Sequence, residues 1–311
     1  MLKHKWRIAQ GAVGLVILYF LIIKTLRNWD KFKAQPIAWH LRWEFIIASL
    51  LVTWVMYGFL ILGWRSVLHG WRQWIRAVDA ARIWCVSSLG KYVPGKVWAI
   101  AGMAVMAQRS GVSGAAATGS AIIMQLVSIA TGTIITFALI GTRLLDDFWP
   151  GASLVALAVA VFALLCVLAL ALPSLTRRIG FIVGRPDAVQ PVEPEALAAA
   201  LFTNFVAWAG YGLALQLLLL GTIDNVTLDW ATATGAFAGS YLIGYLALIV
   251  PGGLGVREGF LIIFLQGSIG LGPAAALAAV SRIALTVNEL GAALPFLFWR
   301  PVKATTAVEN G

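Results

Sequence analysis

Long apolar stretches alternate with short polar connections along the chain. A helix needs about 17–25 predominantly apolar residues to cross a hydrocarbon core that is ~30 Å thick. Six stretches reach that length, and they cover residues 8–24, 44–63, 115–140, 151–172, 196–221 and 273–299. The pattern predicts an all-α polytopic membrane protein with six spanning helices, which form a single integral membrane domain over residues 1–311.

Two further apolar regions, 83–108 and 231–268, are interrupted by proline and glycine. Proline lacks a backbone donor and glycine has a low helix propensity, so no regular helix is expected through either interruption. The pieces on each side are too short to span a bilayer, and we therefore predict two re-entrant helical hairpins with opposite orientations. Their tips would meet near the middle of the membrane. The turn residues are Pro94 and Gly95 in the first hairpin, and Pro251, Gly252, Gly253 and Gly255 in the second.

The two hairpins occupy matching places in the two parts of the chain, about 1–172 and about 196–300. Gln108, Ser110 and Gly114 in the first part recur in the same order as Gln266, Ser268 and Gly272 in the second. Short broken segments at corresponding positions of two halves are typical of the substrate site of secondary transporters. The pattern therefore predicts an inverted repeat.

The composition agrees with a membrane protein, since 60% of the residues are hydrophobic and only 12% are charged. A soluble domain carries about 25% charged residues, so this class is excluded. The net charge of +10 indicates basic cytoplasmic loops and contact with anionic headgroups, and no nucleic-acid partner is predicted. The positive-inside rule predicts a multi-pass protein of the inner (plasma) membrane with both termini in the cytoplasm, although the basic linker between the first two spans favours the opposite orientation.

Six ionisable side chains lie inside or beside the broken apolar regions and the last predicted span. They are Lys91, Lys96, Arg257, Glu258, Arg282 and Glu289. A charged group at membrane depth is costly and is therefore a candidate for function. We predict that these residues bind substrate, with the four cations holding an anionic headgroup through charge-assisted hydrogen bonds. The alternative is that Arg257–Glu258 and Arg282–Glu289 are internal ion pairs that fix helix packing, which would leave both lysines without a partner.

The residues of the two interruptions, Leu89–Trp98 and Pro251–Glu258, together with Ser281 and Arg282, resemble the flippase-type transmembrane domain of the lysylphosphatidylglycerol synthase family. The resemblance implies two re-entrant elements in a helical bundle and transfer of lipids between leaflets. Bifunctional members carry a cytosolic aminoacyl transferase after the membrane part, and we expect this chain to be a standalone member without it. Standalone members look similar to proteins linked with cell-surface glycans and lipid-linked sugars.

We therefore expect a lipid translocase (flippase), and not an enzyme, that moves an anionic phospholipid or a polyprenyl-phosphate-linked glycolipid through a charged midplane cavity. The expected partners are anionic membrane lipids and a separate synthase or glycosyltransferase. No cofactor, metal or disulfide is predicted, because Cys85 and Cys166 lie in apolar segments and the histidines lack ligand spacing. Two alternatives remain open: a membrane-embedded transferase that uses a lipid-linked donor, and a non-catalytic membrane partner of a synthase.

Overall fold

The structure is a computed structural model that describes residues 37–92, 97–148, 191–247 and 251–297, together with residues 158, 161, 162 and 164. Every regular element in these ranges is helical. We number the long helices α1 (Trp43–Gly70), α2 (Ala77–Ser88), α3 (Val97–Arg109), α4 (Gly114–Phe148), α5 (Pro194–Thr222), α6 (Trp230–Leu246), α7 (Val256–Ile269) and α8 (Leu271–Leu297). Two short 3₁₀ segments, the first turn (Leu89–Tyr92) and the second turn (Pro251–Gly253), lie between α2 and α3 and between α6 and α7.

Four of the described helices are long and apolar enough to cross a membrane, namely α1, α4 over Gly114–Ile140, α5 and α8. They correspond to the predicted spans 44–63, 115–140, 196–221 and 273–299, with ends that differ by a few residues. The predicted span 8–24 and most of 151–172 lie outside the described residues. The described part of the chain is therefore an all-helical membrane protein with four candidate spans.

Helices α1 and α5 form a closely packed antiparallel pair. A Cβ atom built on Gly63 would lie 3.4 Å from the Cα atom of Ala200, and one on Gly70 would lie 3.0 Å from the Cβ atom of Ala196. Small residues at these positions let the two backbones approach, which is how membrane helices gain contact without a hydrophobic driving force. The Ser49 hydroxyl donates a hydrogen bond of 2.7 Å to the carbonyl of Ala214 further along the pair.

The first hairpin consists of α2, the first turn and α3, whose two helices run antiparallel. Near the turn, a Cβ atom on Gly90 would lie 2.7 Å from the backbone nitrogen of Ala99. At the open end, the Ser113 amide donates a hydrogen bond of 2.9 Å to the Gln73 side chain. Helices of 12 and 13 residues are only about 18–20 Å long at ~1.5 Å per residue. Neither arm is long enough to cross a core of ~30 Å.

The second hairpin consists of α6, the second turn and α7, which also run antiparallel. Gly244 lies against Arg257 beside the turn, whereas Gly239 lies against Phe264 further away, and the order of these contacts fixes the direction of the two helices. Asp229 caps the open end of α6 by accepting a hydrogen bond of 2.9 Å from the Thr232 amide. Hydrogen bonds from the Thr232 side chain and then from its amide lower the pKa of the Asp229 carboxyl.

The two hairpins open towards opposite ends of the bundle, because each is joined to a different end of the α1–α5 pair. The first hairpin begins after the end of α1, where Trp71 donates a hydrogen bond to the Pro191 carbonyl. The second hairpin begins after the end of α5, where the His40 amide donates a hydrogen bond to the Thr222 carbonyl. The turns meet inside the bundle, where a Cβ atom on Gly252 would lie 3.5 Å from the Tyr92 ring.

The backbone of the second turn depends on glycine. Gly253 has a φ of +66°, and an added Cβ atom would lie 2.7 Å from the Gly244 carbonyl oxygen, which belongs to a helix and cannot move aside. We expect Gly253→Ala to lower the free energy of unfolding by about 2–3 kcal/mol, from the left-handed conformation and this overlap together. Gly267→Ala is the matched control, since Gly267 has no atom within 4 Å of its added Cβ. Equal thermal unfolding temperatures in detergent for the two variants would contradict the packing described.

Candidate functional site

Helix α8 carries the polar side chains that hold the first turn. The Lys91 ammonium forms an ion pair with the Glu289 carboxylate. The Tyr92 hydroxyl donates a hydrogen bond of 2.7 Å to the second carboxylate oxygen of Glu289. Glu289 is only 6% exposed, so this carboxylate depends on the two donors for compensation of its charge.

The same helix holds the second turn through Arg282. Its guanidinium donates a hydrogen bond of 2.9 Å to the Gly252 carbonyl and lies 3.6 Å from Oε1 of Glu258. The other oxygen of Glu258 accepts a hydrogen bond of 2.7 Å from the Gly255 amide, which caps the first turn of α7. Both turns are therefore anchored to α8 by charged contacts.

Arg257 is the least satisfied charged group of the site. It is 3% exposed, its nearest carboxylate oxygen on Glu258 is 3.8 Å away, and its guanidinium carbon lies 5.0 Å from the centre of the Phe237 ring. Its Nε and Nη2 atoms are buried and have no hydrogen-bond partner among the residues that the structure describes. Buried donors are rarely left unpaired, and a desolvated cation with two free N–H directions suits an anionic ligand.

The charges around the turns do not cancel. Within the described ranges, Lys91, Arg257 and Arg282 face Glu258 and Glu289, which leaves one positive charge in excess. The predicted site residues Lys96, Pro94 and Gly95 lie in the segment 93–96, outside the described residues. The other predicted ligand residues are brought together between the two turns and α8, and their role as ligands stays a prediction.

Two adjoining cavities lie beside these residues. The smaller, which we call the charged chamber, has a volume of about 60 Å³. Its polar lining consists mainly of Lys91, Tyr92, Gln125, Arg257, Arg282 and Glu289. The larger, which we call the aromatic chamber, has a volume of about 200 Å³. Its lining includes the rings of Tyr57, Trp84, Trp208, Tyr211, Phe237 and Tyr241. The two share a wall that contains Lys91, Gln125, Tyr241 and Glu289.

The observed ion pairing differs from the pairing considered from the sequence. The pair Arg282–Glu289 is wrong, because each of these two side chains forms its ion pair with a residue outside α8. Lys91 pairs with Glu289, and Arg282 pairs with Glu258, because the two turns contact α8 at different positions along its length. The expectation that Lys91 lacks a partner is also wrong. Arg257 and Glu258 do lie beside each other, at 3.8 Å.

Sequence reasoning missed two parts of the site. Tyr92 was not among the predicted site residues, yet its hydroxyl donates a hydrogen bond to Glu289. The aromatic chamber was not predicted at all, although its rings follow helical spacing: Phe237 and Tyr241 are one turn apart on α6, with ring centres 6.1 Å apart. Trp208, on α5, lies 5.7 Å from the Tyr241 ring. Among the described residues, no three His, Cys, Asp or Glu side chains converge as a metal site requires.

Residues 7–287 match the family described as the lysylphosphatidylglycerol synthase TM region. The match includes both turns and nearly all of the described helices, and it agrees with the resemblance seen in the two turn motifs. No curated protein matches the chain.

Proposed function

Because the chain belongs to the lysylphosphatidylglycerol synthase transmembrane family, we propose that it is a lipid translocase and not an enzyme. It moves an anionic phospholipid or a polyprenyl-phosphate-linked glycolipid between leaflets without changing it covalently. The observation that carries this proposal is Arg257, a buried cation beside the charged chamber, two of whose guanidinium donors have no partner among the described residues.

In this proposal, the lipid phosphate enters the charged chamber and accepts hydrogen bonds from Nε and Nη2 of Arg257. A buried phosphate is expensive unless opposite charges lie close to it. Arg282 and Lys91 line the same chamber and supply those charges. Since both are already paired with carboxylates, an arriving phosphate competes with Glu258 and Glu289 for them.

This competition links binding to movement. Lys91 anchors the first turn to α8, and Arg282 anchors the second turn. When phosphate takes over part of these contacts, each hairpin is held less firmly and can move against the other. Movement of one repeat against the other around a central site is the general route to alternating access.

We further propose that the protein has six spans, an inverted repeat and two re-entrant hairpins, with both termini in the cytoplasm. The short antiparallel arms and the opposite openings of the hairpins support this arrangement. Cysteines placed at Arg76 and Arg109, on a background without Cys85 and Cys166, are expected to react with an impermeant thiol reagent from the same side of the membrane. A cysteine at Thr227 should react from the other side. Labelling of the Arg76 and Arg109 positions from opposite sides would show a spanning pair instead.

The test of transport is leaflet exchange in liposomes that contain the purified protein and fluorescent phosphatidylglycerol. We expect dithionite to bleach the inner-leaflet lipid faster than in protein-free liposomes. Exchange at the protein-free rate, with this lipid and with a polyprenyl-phosphate-linked sugar, would contradict the proposal. A new glycosylated product formed from the lipid-linked sugar would indicate a transferase.

A further inference from the structure

The shared wall of the two chambers determines what lies next to a bound phosphate. Lys91, Tyr241 and Glu289 border both cavities. A phosphate held by Arg257 in the charged chamber therefore places one ester substituent at the aromatic chamber. That chamber, at about 200 Å³ against about 60 Å³, is the larger of the two.

The aromatic chamber has a wall of closely packed rings. Tyr211 stacks on Phe237 with ring centres 5.4 Å apart, and Trp208 contacts Tyr241 at 5.7 Å. The face of an aromatic ring carries partial negative charge. A sugar ring presents C–H groups with partial positive charge on one face and hydroxyl groups around its rim, so it can stack on such a wall while its hydroxyls remain free for hydrogen bonds.

The aromatic chamber also contains polar groups that can bind a polar part of a ligand. The Tyr57 hydroxyl is buried and has no hydrogen-bond partner in the described part of the chain. Asn204 donates through its amide nitrogen to the Ala200 carbonyl at 2.9 Å, and the Gln125 amide also lines the cavity. A hydrocarbon chain in this space would leave the Tyr57 hydroxyl desolvated without a partner, which is unfavourable.

A cationic substituent fits less well than a neutral one. Aromatic rings do attract cations, but Arg257 already occupies the Phe237 face, at 5.0 Å from the ring centre. Of the lining residues that the structure describes, only Glu289 carries a carboxylate, and it is already engaged by Lys91 and Tyr92. Lys91 lines the same cavity and repels a second positive charge.

We propose that the aromatic chamber binds a neutral sugar ring attached to the lipid phosphate, so that the substrate is a lipid-linked sugar phosphate. This inference rests on the proposed function and adds the substrate class. In the bound state the phosphate lies against Arg257, the sugar stacks on the ring wall, and a sugar hydroxyl pairs with the Tyr57 hydroxyl.

The test is isothermal titration calorimetry on the protein in nanodiscs with four probes: octyl phosphate, octyl phosphoglucose, octylphosphocholine and glucose 1-phosphate. We expect octyl phosphoglucose to bind about tenfold more tightly than either octyl phosphate or octylphosphocholine, which corresponds to one or two additional neutral hydrogen bonds. Glucose 1-phosphate, which lacks the chain, is expected to bind more weakly than its octyl ester.

Tyr57→Phe tests the sugar contact without disturbing the packing, because it keeps the ring beside Tyr211. It removes only a hydroxyl that has no hydrogen-bond partner within the described ranges. The variant is expected to weaken the binding of octyl phosphoglucose by a factor that is about five times larger than the factor for octyl phosphate. An equal change for the two probes would overturn the assignment of the aromatic chamber.

The remaining outcomes separate this inference from the proposed function. Equal affinities for the three octyl probes, or tighter binding of octylphosphocholine, would overturn the sugar assignment and leave the phosphate site standing. Glucose 1-phosphate binding as tightly as its octyl ester would overturn the lipid part. If Arg257→Met leaves the affinity for every probe unchanged, the phosphate site of the proposed function fails and this inference fails with it.

Discussion

We expect Arg257→Met to slow leaflet exchange of the substrate lipid by about a hundredfold or more, while the thermal stability of the protein stays equal or rises. The loss of transport follows from two charge-assisted hydrogen bonds to phosphate, each contributing about 1.5–3 kcal/mol. Stability is not expected to fall, because Arg257 is a desolvated cation with two unpaired donors in the described structure. Replacing a poorly compensated buried charge with an unbranched apolar side chain is often neutral or favourable.

The matched control for this variant is Arg42→Met. Arg42 carries the same side chain, but it is 40% exposed and pairs with Asp224 at the end of the bundle where α1 begins. It makes no contact with either chamber. Its removal is expected to leave leaflet exchange within about twofold of the wild-type rate, because exposed ion pairs contribute about 0–1 kcal/mol. Loss of transport in both variants to the same extent would contradict a specific role for Arg257.

We expect Glu289→Gln to lower the free energy of unfolding by about 3–5 kcal/mol, which is the usual cost of removing one partner of a buried ion pair. The amide still accepts a hydrogen bond from Tyr92, but it leaves the charge of Lys91 without compensation. Because Lys91 belongs to the first turn, this turn also loses its anchor on α8. The measurement is reversible unfolding in mixed detergent micelles, read by circular dichroism.

The double variant Lys91→Met/Glu289→Gln distinguishes charge imbalance from a general loss of packing. It removes both charges, so we expect it to recover most of the stability lost in Glu289→Gln. Asp79→Asn is the control at a more exposed ion pair, since Arg76 and Asp79 are 66% and 22% exposed and lie 3.8 Å apart. If the double variant is less stable than Glu289→Gln alone, the account of the pair as a charge-compensated anchor is wrong.

The sequence was sufficient to predict the helical class and the spans that the structure describes. Apolar length decides whether a helix can cross a bilayer, so 44–63 and 196–221 could be recognised directly. Pro251 and the glycines after it predicted a break between α6 and α7, and the positive φ values of Gly252 and Gly253 show why glycine is needed there.

Pairing between the charged residues could not be read from the sequence. Spacing places Arg282 and Glu289 on one face of α8, but it does not show which turn approaches which residue. Partner choice depends on the height at which each hairpin meets α8, and this is a property of the tertiary packing. For that reason Lys91 was expected to be unpaired, although it contacts Glu289 in the structure.

The aromatic chamber was missed for a related reason. Trp208 and Tyr211 on α5, and Phe237 and Tyr241 on α6, each follow a helical spacing that is equally typical of lipid-facing and buried positions. The four rings form one wall only because the two helices pack together, which places the ring centres of Trp208 and Tyr241 5.7 Å apart. A cavity is formed by side chains from distant parts of the chain, so periodicity within one helix does not reveal it.

The central claim is that the guanidinium donors of Arg257 hold the phosphate of a lipid. Native mass spectrometry of lipid retained by the detergent-purified protein tests this claim most directly, with wild type, Arg257→Met and Arg42→Met prepared in parallel. The account predicts one phosphate-containing lipid bound to wild type and to Arg42→Met, and none bound to Arg257→Met. Retention of the same lipid in the same amount by Arg257→Met would contradict it.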